Sequence, residues 1–438
     1  MTDDRERKDR IMAKKNTQST LPHPLVAVEL GSHGVRSMAV ERTEQGWLHV
    51  LGAEASNRNT SVERGVVTNT SNAGYGIGEC LKLLSNRIQH PQLTKAFVAL
   101  GGRSMKVVEV DSRRNQVLRK EVPQYLLEEM DAECKQKIEE RNPHVSVLAL
   151  IPYAYVLDGV LQEHEPESHQ RAAEVVVKYV AFVGAKELEQ KVLDSFVRVP
   201  KHIEHTYARP DALLCALASD EDLMNGCAIL DMGAQTTTLT VFKDNKYVYN
   251  KVVSQGGYDV TRDIEQLGIS FAYAERLKCN YGTPLMDEGS ANRCVRVPDP
   301  DAPDGVVLLR FGDVVNTIVA RLNQMLSPLM SDLQTYEDSI GVLYITGGAS
   351  MLSGMEQYIQ GLTAIPVMYG SHAAWLDENT PDEYYAPNYS SLIGTLILGA
   401  MYREKHPMAE PVDDLRKRIE KLTKNAQTSI LDMFTEQY

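Results

Sequence analysis

Leu25-Val-Ala-Val-Glu29-Leu-Gly31-Ser32-His33-Gly34-Val-Arg-Ser-Met-Ala-Val40 decides the fold, because the chain repeats its pattern later. The second copy is Gly226-Cys-Ala-Ile-Leu-Asp231-Met-Gly233-Ala234-Gln235-Thr236-Thr237-Thr238-Leu-Thr-Val241. Each copy has an apolar run, then acid-x-Gly, then a short small or polar turn, then a second extended run. Glu29 matches Asp231, and Gly31 matches Gly233. A buried strand ending in a carboxylate suits a hydrated cation. A glycine after it lets backbone N–H groups approach phosphate oxygens. Two such hairpins facing one another would grip a nucleotide's phosphates from both sides. One short glycine motif is weak evidence, and an ordinary buried strand and turn explains it as well. A matched pair is much stronger.

Composition narrows the field. The 438 residues suffice for two to four domains or subdomains, and 43% hydrophobic with 24% charged residues is ordinary for a globular protein. The net charge of −13 argues against nucleic acid as a partner, since phosphate contacts supply most of that affinity. Six scattered cysteines include no CxxC pair, so neither a zinc site nor a disulfide framework is expected. No apolar stretch approaches eighteen residues and no signal-peptide core is visible, so the expected compartment is the cytoplasm.

Along the chain, residues 1–20 are polar and lack apolar periodicity, which reads as a disordered extension; Met12 is an alternative start. Residues 25–106 form the first part of one α/β domain, with a helix at 72–89 and a strand at 95–100. Residues 107–185 read differently, as strands around one charged helix at 123–141 with Leu126, Leu127, Met130, Cys134 and Ile138 on its buried face. They are expected to be an inserted α+β subdomain. Residues 186–225 return to the parent domain, and 226–404 form a second one, with 254–330 as its outer part. Within it, 285–306 is expected as a surface loop, 312–333 as a long amphipathic helix and 392–401 as an apolar helix containing Gly394. Residues 405–414 read as a linker. In the last segment, 415–438, Leu415, Ile419, Leu422, Ile430, Met433 and Phe434 face Arg416, Lys417, Arg418, Lys421 and Lys424 across a helix. Such a basic amphipathic helix is suited to an anionic membrane surface, with docking on its own domain as the alternative.

Three further motifs agree with a nucleotide cleft. Ile345-Thr346-Gly347-Gly348-Ala349-Ser350 follows a strand, and its paired glycines let backbone pass against a flat adenine ring. Glu275 and Lys278 share a helix face and suit ribose hydroxyls, although an ordinary surface ion pair has the same spacing. Gly256-Gly257-Tyr258-Asp259-Val260-Thr261 places glycines before a helix. Alternating strands and helices in two halves that repeat one hairpin give the expected fold class: α/β, an actin-like ATPase fold around a nucleotide cleft.

On these residues the chain resembles the FtsA family, the bacterial actin-like cell-division proteins, over about residues 25–404. Its elements stand as Glu29-Leu-Gly31-Ser32, Arg64-Gly65-Val-Val, Asp231-Met-Gly233 with Thr236-Thr237, Gly256-Gly257-x-x-Val260-Thr261-x-Asp263-Ile264, Ala274-Glu275-x-x-Lys278 with Tyr281-Gly282, and Thr346-Gly347-Gly348. The resemblance implies ATP with Mg2+ between the halves, self-assembly into filaments, membrane attachment by the C-terminal helix, the C-terminal tail of FtsZ as partner, and other divisome proteins. It implies magnesium held through water by Glu29 and Asp231. Nucleotide contacts would come from Gly31, Ser32, His33, Gly233, Ala234, Thr236, Thr237, Gly257, Glu275, Lys278, Gly347, Gly348 and Ser350. The implied place is the inner face of the cell membrane at the division site.

Departures from the family pattern bear on chemistry. Ala234 and Gln235 follow Gly233 where the family usually has glycines, and an alanine at positive φ would be strained. Arg209 stands where related ATPases often carry an acid or amide that orients water, and a guanidinium is no base. Binding is therefore expected with slow or absent hydrolysis, and no residue is assigned as catalytic. Two other readings remain: a small-molecule kinase, for which Asp211 is the one candidate catalytic acid, and a PilM-like pilus assembly protein.

Overall fold

Leu25, Val26, Ala27 and Val28 are each no more than 1% exposed, as their unbroken apolar run requires of a strand covered on both faces. They lie in β1 (Leu25–Leu30), which pairs antiparallel with β2 (Val35–Arg42), itself paired with β3 (Leu48–Ser56). The computed structural model describes residues 24–56, 61–90, 93–162, 164–199, 202–286, 289–298 and 304–406. The expected N-terminal extension and the tail at 415–438 lie outside the described residues. By contacts the chain divides into units 1–398 and 399–438. The first unit holds every strand described here; of the second, residues 399–406 are described.

After β3 comes a small ribbon, β4 (Val62–Glu63) with β5 (Val66–Val67). The helix Thr70–Arg87 follows, capped by the Asn69 side chain, which accepts from the N–H groups of Ser71 and Asn72. It carries the chain over the sheet to β6 (Lys95–Leu100), parallel to β1. The chain then leaves the sheet for a second one made of β7 (Lys106–Glu121), β8 (Val145–Leu157), β9 (Val160–Gln162) and β10 (Arg171–Ala185), in the order β7-β10-β8-β9. The helix Gln124–Arg141 covers it, burying Leu127, Met130 and Cys134 against Val175, Val177 and Tyr179 in a core of its own. The helix Lys186–Val197 returns the chain to β11 (His202–Ala208), parallel to β6. The first sheet is thus β3-β2-β1-β6-β11.

The second half repeats that winding. β12 (Cys227–Met232) pairs antiparallel with β13 (Thr237–Lys243), and β13 with β14 (Lys246–Val253). An excursion brings two short helices, Gly257–Glu265 and Phe271–Tyr281, then the hairpin β15 (Cys294–Pro298) with β16 (Val306–Arg310), then the helix Phe311–Leu333. β17 (Val342–Thr346) returns parallel to β12, followed by β18 (Val367–Tyr369) parallel to β17. The sheet order is β14-β13-β12-β17-β18. Three antiparallel strands followed by two parallel ones therefore occur twice, in the same order. The surface loop expected at 285–306 is corrected in part: residues 294–298 pair with 306–310, because alternating valines and leucines favour a pleated ribbon.

Two helices lock the frame. Ile318, Leu322, Met325, Leu326 and Leu329 of Phe311–Leu333 pack into the core under β12 and β17. Pro328 lies within that helix, where it removes one backbone donor. Gly394, in the helix Ser390–Lys405, sits so close to the carbonyl of Ala212 that an added Cβ would lie 1.9 Å from that oxygen. This contact fixes the helix Arg209–Leu217, and with it Arg209 at its first turn.

Candidate functional site

The two hairpins have the same turn. Gly31 N–H donates to Gly34 C=O at 3.0 Å, and Gly233 N–H donates to Thr236 C=O at 2.8 Å. Their registers match as well, with Glu29 opposite Arg36 and Asp231 opposite Thr238. Ala234 has no positive φ, so the strain expected for an alanine in this turn is absent. Gln235 instead uses its side chain, whose Oε1 accepts from Arg64 N–H at 2.9 Å, while Arg64 Nη1 donates to Ser254 C=O. His33 Nδ1 lies 2.7 Å from the hydroxyl of Tyr258. Both links join the first half to the second across the cleft.

Beyond the second hairpin, backbone meets backbone. Gly257 N–H donates to Gly233 C=O and Tyr258 N–H to Ala234 C=O, at 3.0 and 2.7 Å. A Cβ on Gly256 would lie 2.4 Å from the Gly233 oxygen, so only glycine permits this approach. Lys278 Nζ reaches Gly257 C=O, Thr261 Oγ1 and Glu275 Oε2 at 3.0, 2.8 and 2.8 Å. The Thr261 hydroxyl also donates to Glu275. Burial would raise the Glu275 carboxyl, but Lys278 and Thr261 outweigh it and hold its pKa below the ordinary value. The expected Glu275–Lys278 pair is therefore formed, joined by Thr261, one turn along from Gly257 at the i+4 spacing the sequence already contained.

Gly347 has φ +86°, and a Cβ there would lie 2.5 Å from Asp231 Oδ1 and 2.6 Å from Met232 C=O. Its neighbour Gly348 is exposed, with open space where a side chain would go. The two glycines thus have different physical reasons: Gly347 lets β17 close on Asp231, and Gly348 leaves a surface bare.

Some expected contacts turn inward. Thr237 is fully buried, donating to Gln255 C=O, and Ser350 is fully buried, donating to Gly347 C=O. In this structure both hydroxyls brace turns. Asp211 accepts from the Tyr247 hydroxyl at 2.6 Å, and burial raises its pKa. It ties the helix Arg209–Leu217 to β14, which removes the support for a kinase's catalytic acid.

The carboxylates expected to hold magnesium have other partners. Glu29 meets Arg36 at 2.5 Å and Arg209 at 3.0 Å, and Asp231 lies 3.9 Å from the same Arg209 nitrogen. Burial alone would raise the Glu29 pKa, but both guanidiniums oppose it and hold it below the ordinary value. Asp231 is pushed up to about 6, chiefly by burial, with the Glu29 charge adding to the rise and Arg209 and Arg36 pulling against it. The adjoining void, lined by Gly101, Gly102, Met105, Arg209, Asp231 and Thr238 among others, is about 10 Å³, room for one water. Magnesium normally keeps several waters. Two acids already facing two permanent cations, one of them in close pairs with both, do not fit a hydrated dication. Sequence reasoning missed the Arg36 pairing, although Arg36 faces Glu29 across a four-residue turn. It weighed Arg209 for chemistry but not as an ion-pair partner.

Comparison with known proteins agrees with this frame. The model of the family described as cell division protein FtsA matches residues 228–394, from β12 to Gly394. A protein named cell division protein FtsA from Rhizobium meliloti (strain 1021) is 28% identical over 262 residues, covering 58% of each chain. One from Enterococcus faecalis is 22% identical over 340 residues, 76% of each. The chain spans little more than half the length of the relatives it matches at 28% identity. Among solved structures, a chain of the PilM-PilN type IV pilus biogenesis complex superposes with a TM-score of 0.60 at 16% identity, covering 86% of this chain and 98% of that one. That likeness concerns the fold alone. Taken with the twice-wound sheet, these matches make the chain similar to the FtsA proteins in sequence, on an actin-like fold.

Proposed function

We propose that the chain is an ATP-binding, FtsA-like cell-division scaffold that polymerises on the inner face of the cell membrane and tethers FtsZ filaments there. The doubled hairpin carries the nucleotide part: two matched turns at Gly31–Gly34 and Gly233–Thr236 on two sheets wound alike. Phosphates would lie against the backbone of these turns, ribose against the Glu275–Lys278 pair, and the base over bare Gly348. Exposed His33 and half-buried Ser32 stand on the first turn. Hydrolysis is expected below about one turnover per second, the low end of enzyme rates, because Arg209 cannot act as a base and Asp211 is occupied by Tyr247. A phosphate-release assay on purified protein checks it.

The assembly part rests on the likeness to FtsA. Among the described residues no helix is long and apolar enough to cross a membrane. Attachment is assigned to segment 415–438 on its basic, amphipathic sequence; it lies outside the described residues. One such helix binds weakly, and polymerisation would multiply it. Co-sedimentation with anionic vesicles tests this: the full chain should pellet with ATP and lose binding as salt rises, and a chain ending before Leu415 should stay in solution. Equal pelleting by both would remove the tail as anchor. Binding of a peptide from the FtsZ C-terminal tail, measured on the same preparations, tests the partner.

A further inference from the structure

Arg209 starts the helix Arg209–Leu217, directly after the C-terminal end of β11, with Pro210 behind it. Its side chain is 20% exposed, and one of its terminal nitrogens faces both Glu29, at 3.0 Å, and Asp231, at 3.9 Å. Its Nε is buried without a hydrogen-bond partner, and a Cβ on Gly101 would lie 3.2 Å from it. The opposite oxygen of Glu29 is taken by Arg36. A guanidinium keeps its charge at any working pH and its planar fork suits phosphate oxygens. Both carboxylates thus already face a cation, and the void of about 10 Å³ beside Asp231 has room for no more than one water.

Resting on the nucleotide reading above, we propose that this cleft binds its nucleotide without a divalent cation, Arg209 standing where a phosphate-bound magnesium ion would be. A magnesium ion there would have to break the buried Glu29 pairs and strand two guanidiniums, the costly way to disturb such a cluster. A nucleotide phosphate arriving from the turn side needs no such rupture. It adds negative charge next to a cation whose side chain remains 20% exposed.

The test is equilibrium binding of ATP to the purified full chain, once in millimolar magnesium and once in EDTA. The expected result is a wild-type dissociation constant that changes by less than about threefold between the two. Arg209→Gln uncovers both carboxylates and should bind ATP at least tenfold more weakly in EDTA, with magnesium restoring part of the loss. A wild-type affinity that falls tenfold or more in EDTA overturns the inference while leaving the nucleotide reading standing. Absence of ATP binding under both conditions overturns both. The wild-type comparison decides the matter even if the Arg209→Gln protein does not fold.

Discussion

Asp231 carries a burial cost in the cleft. Its carboxyl is pushed up to about 6, against an ordinary 3.8, because burial penalises its charge more than Arg209 repays. Between about pH 4 and pH 6 the native state therefore binds more protons here than the unfolded chain, so this residue's contribution falls as pH rises through that window. Asp231→Asn keeps the shape and removes the charge. It should leave stability unchanged near pH 4 and raise it by about 1 kcal/mol or more at pH 7. Thermal melts of both proteins across that range check it; a constant difference would show that Asp231 is not strained. Gly347 and Gly348 make a second contrast. Gly347→Ala places a methyl group against Asp231 and Met232 at φ +86° and should cost about 2 kcal/mol. Gly348→Ala enters open space and should cost less than about 0.5 kcal/mol by denaturant unfolding. In the sequence the two are indistinguishable, since the difference lies in what β12 presents to them.

At the scale of elements, the doubled hairpin was legible because a strand covered on both faces must be an unbroken apolar run, and the acid-x-Gly that ends it marks the turn. The ribbon at 294–298 was hidden by the Pro, Asp and Gly around it, whose turn signal outweighs five residues of alternation. Ion pairs such as Arg209 with Glu29 span about 180 positions and leave no periodic trace. The subdomain from β7 to β10 has its own core under the helix Gln124–Arg141, yet its far end is bare. Val117, Leu118, Val160 and Leu161 are 97%, 69%, 63% and 66% exposed. As part of the proposed function, we propose this end as a contact between protomers. The double variant Val117→Glu with Leu161→Glu should abolish ATP-dependent filaments seen by sedimentation and electron microscopy, with ATP affinity unchanged. Filaments of normal length in that variant would place the contact elsewhere.

For the whole molecule, the repetition of one winding in β3-β2-β1-β6-β11 and β14-β13-β12-β17-β18 sets two equal hairpins in one unit, linked by Arg64 to Gln235 and His33 to Tyr258. On the proposed function such a frame would hold a ligand between both turns, with bare Gly348 close to the second. The most direct measurement is calorimetric titration of ATP into the full chain, wild type beside Gly348→Leu. Because the added side chain enters open space, the variant's melting temperature should match the wild type's. Its ATP affinity should fall at least tenfold, about 1.4 kcal/mol, since leucine would occupy the place of the base. Equal affinity in the two proteins, or no ATP binding by the wild type, would contradict a nucleotide site between the hairpins.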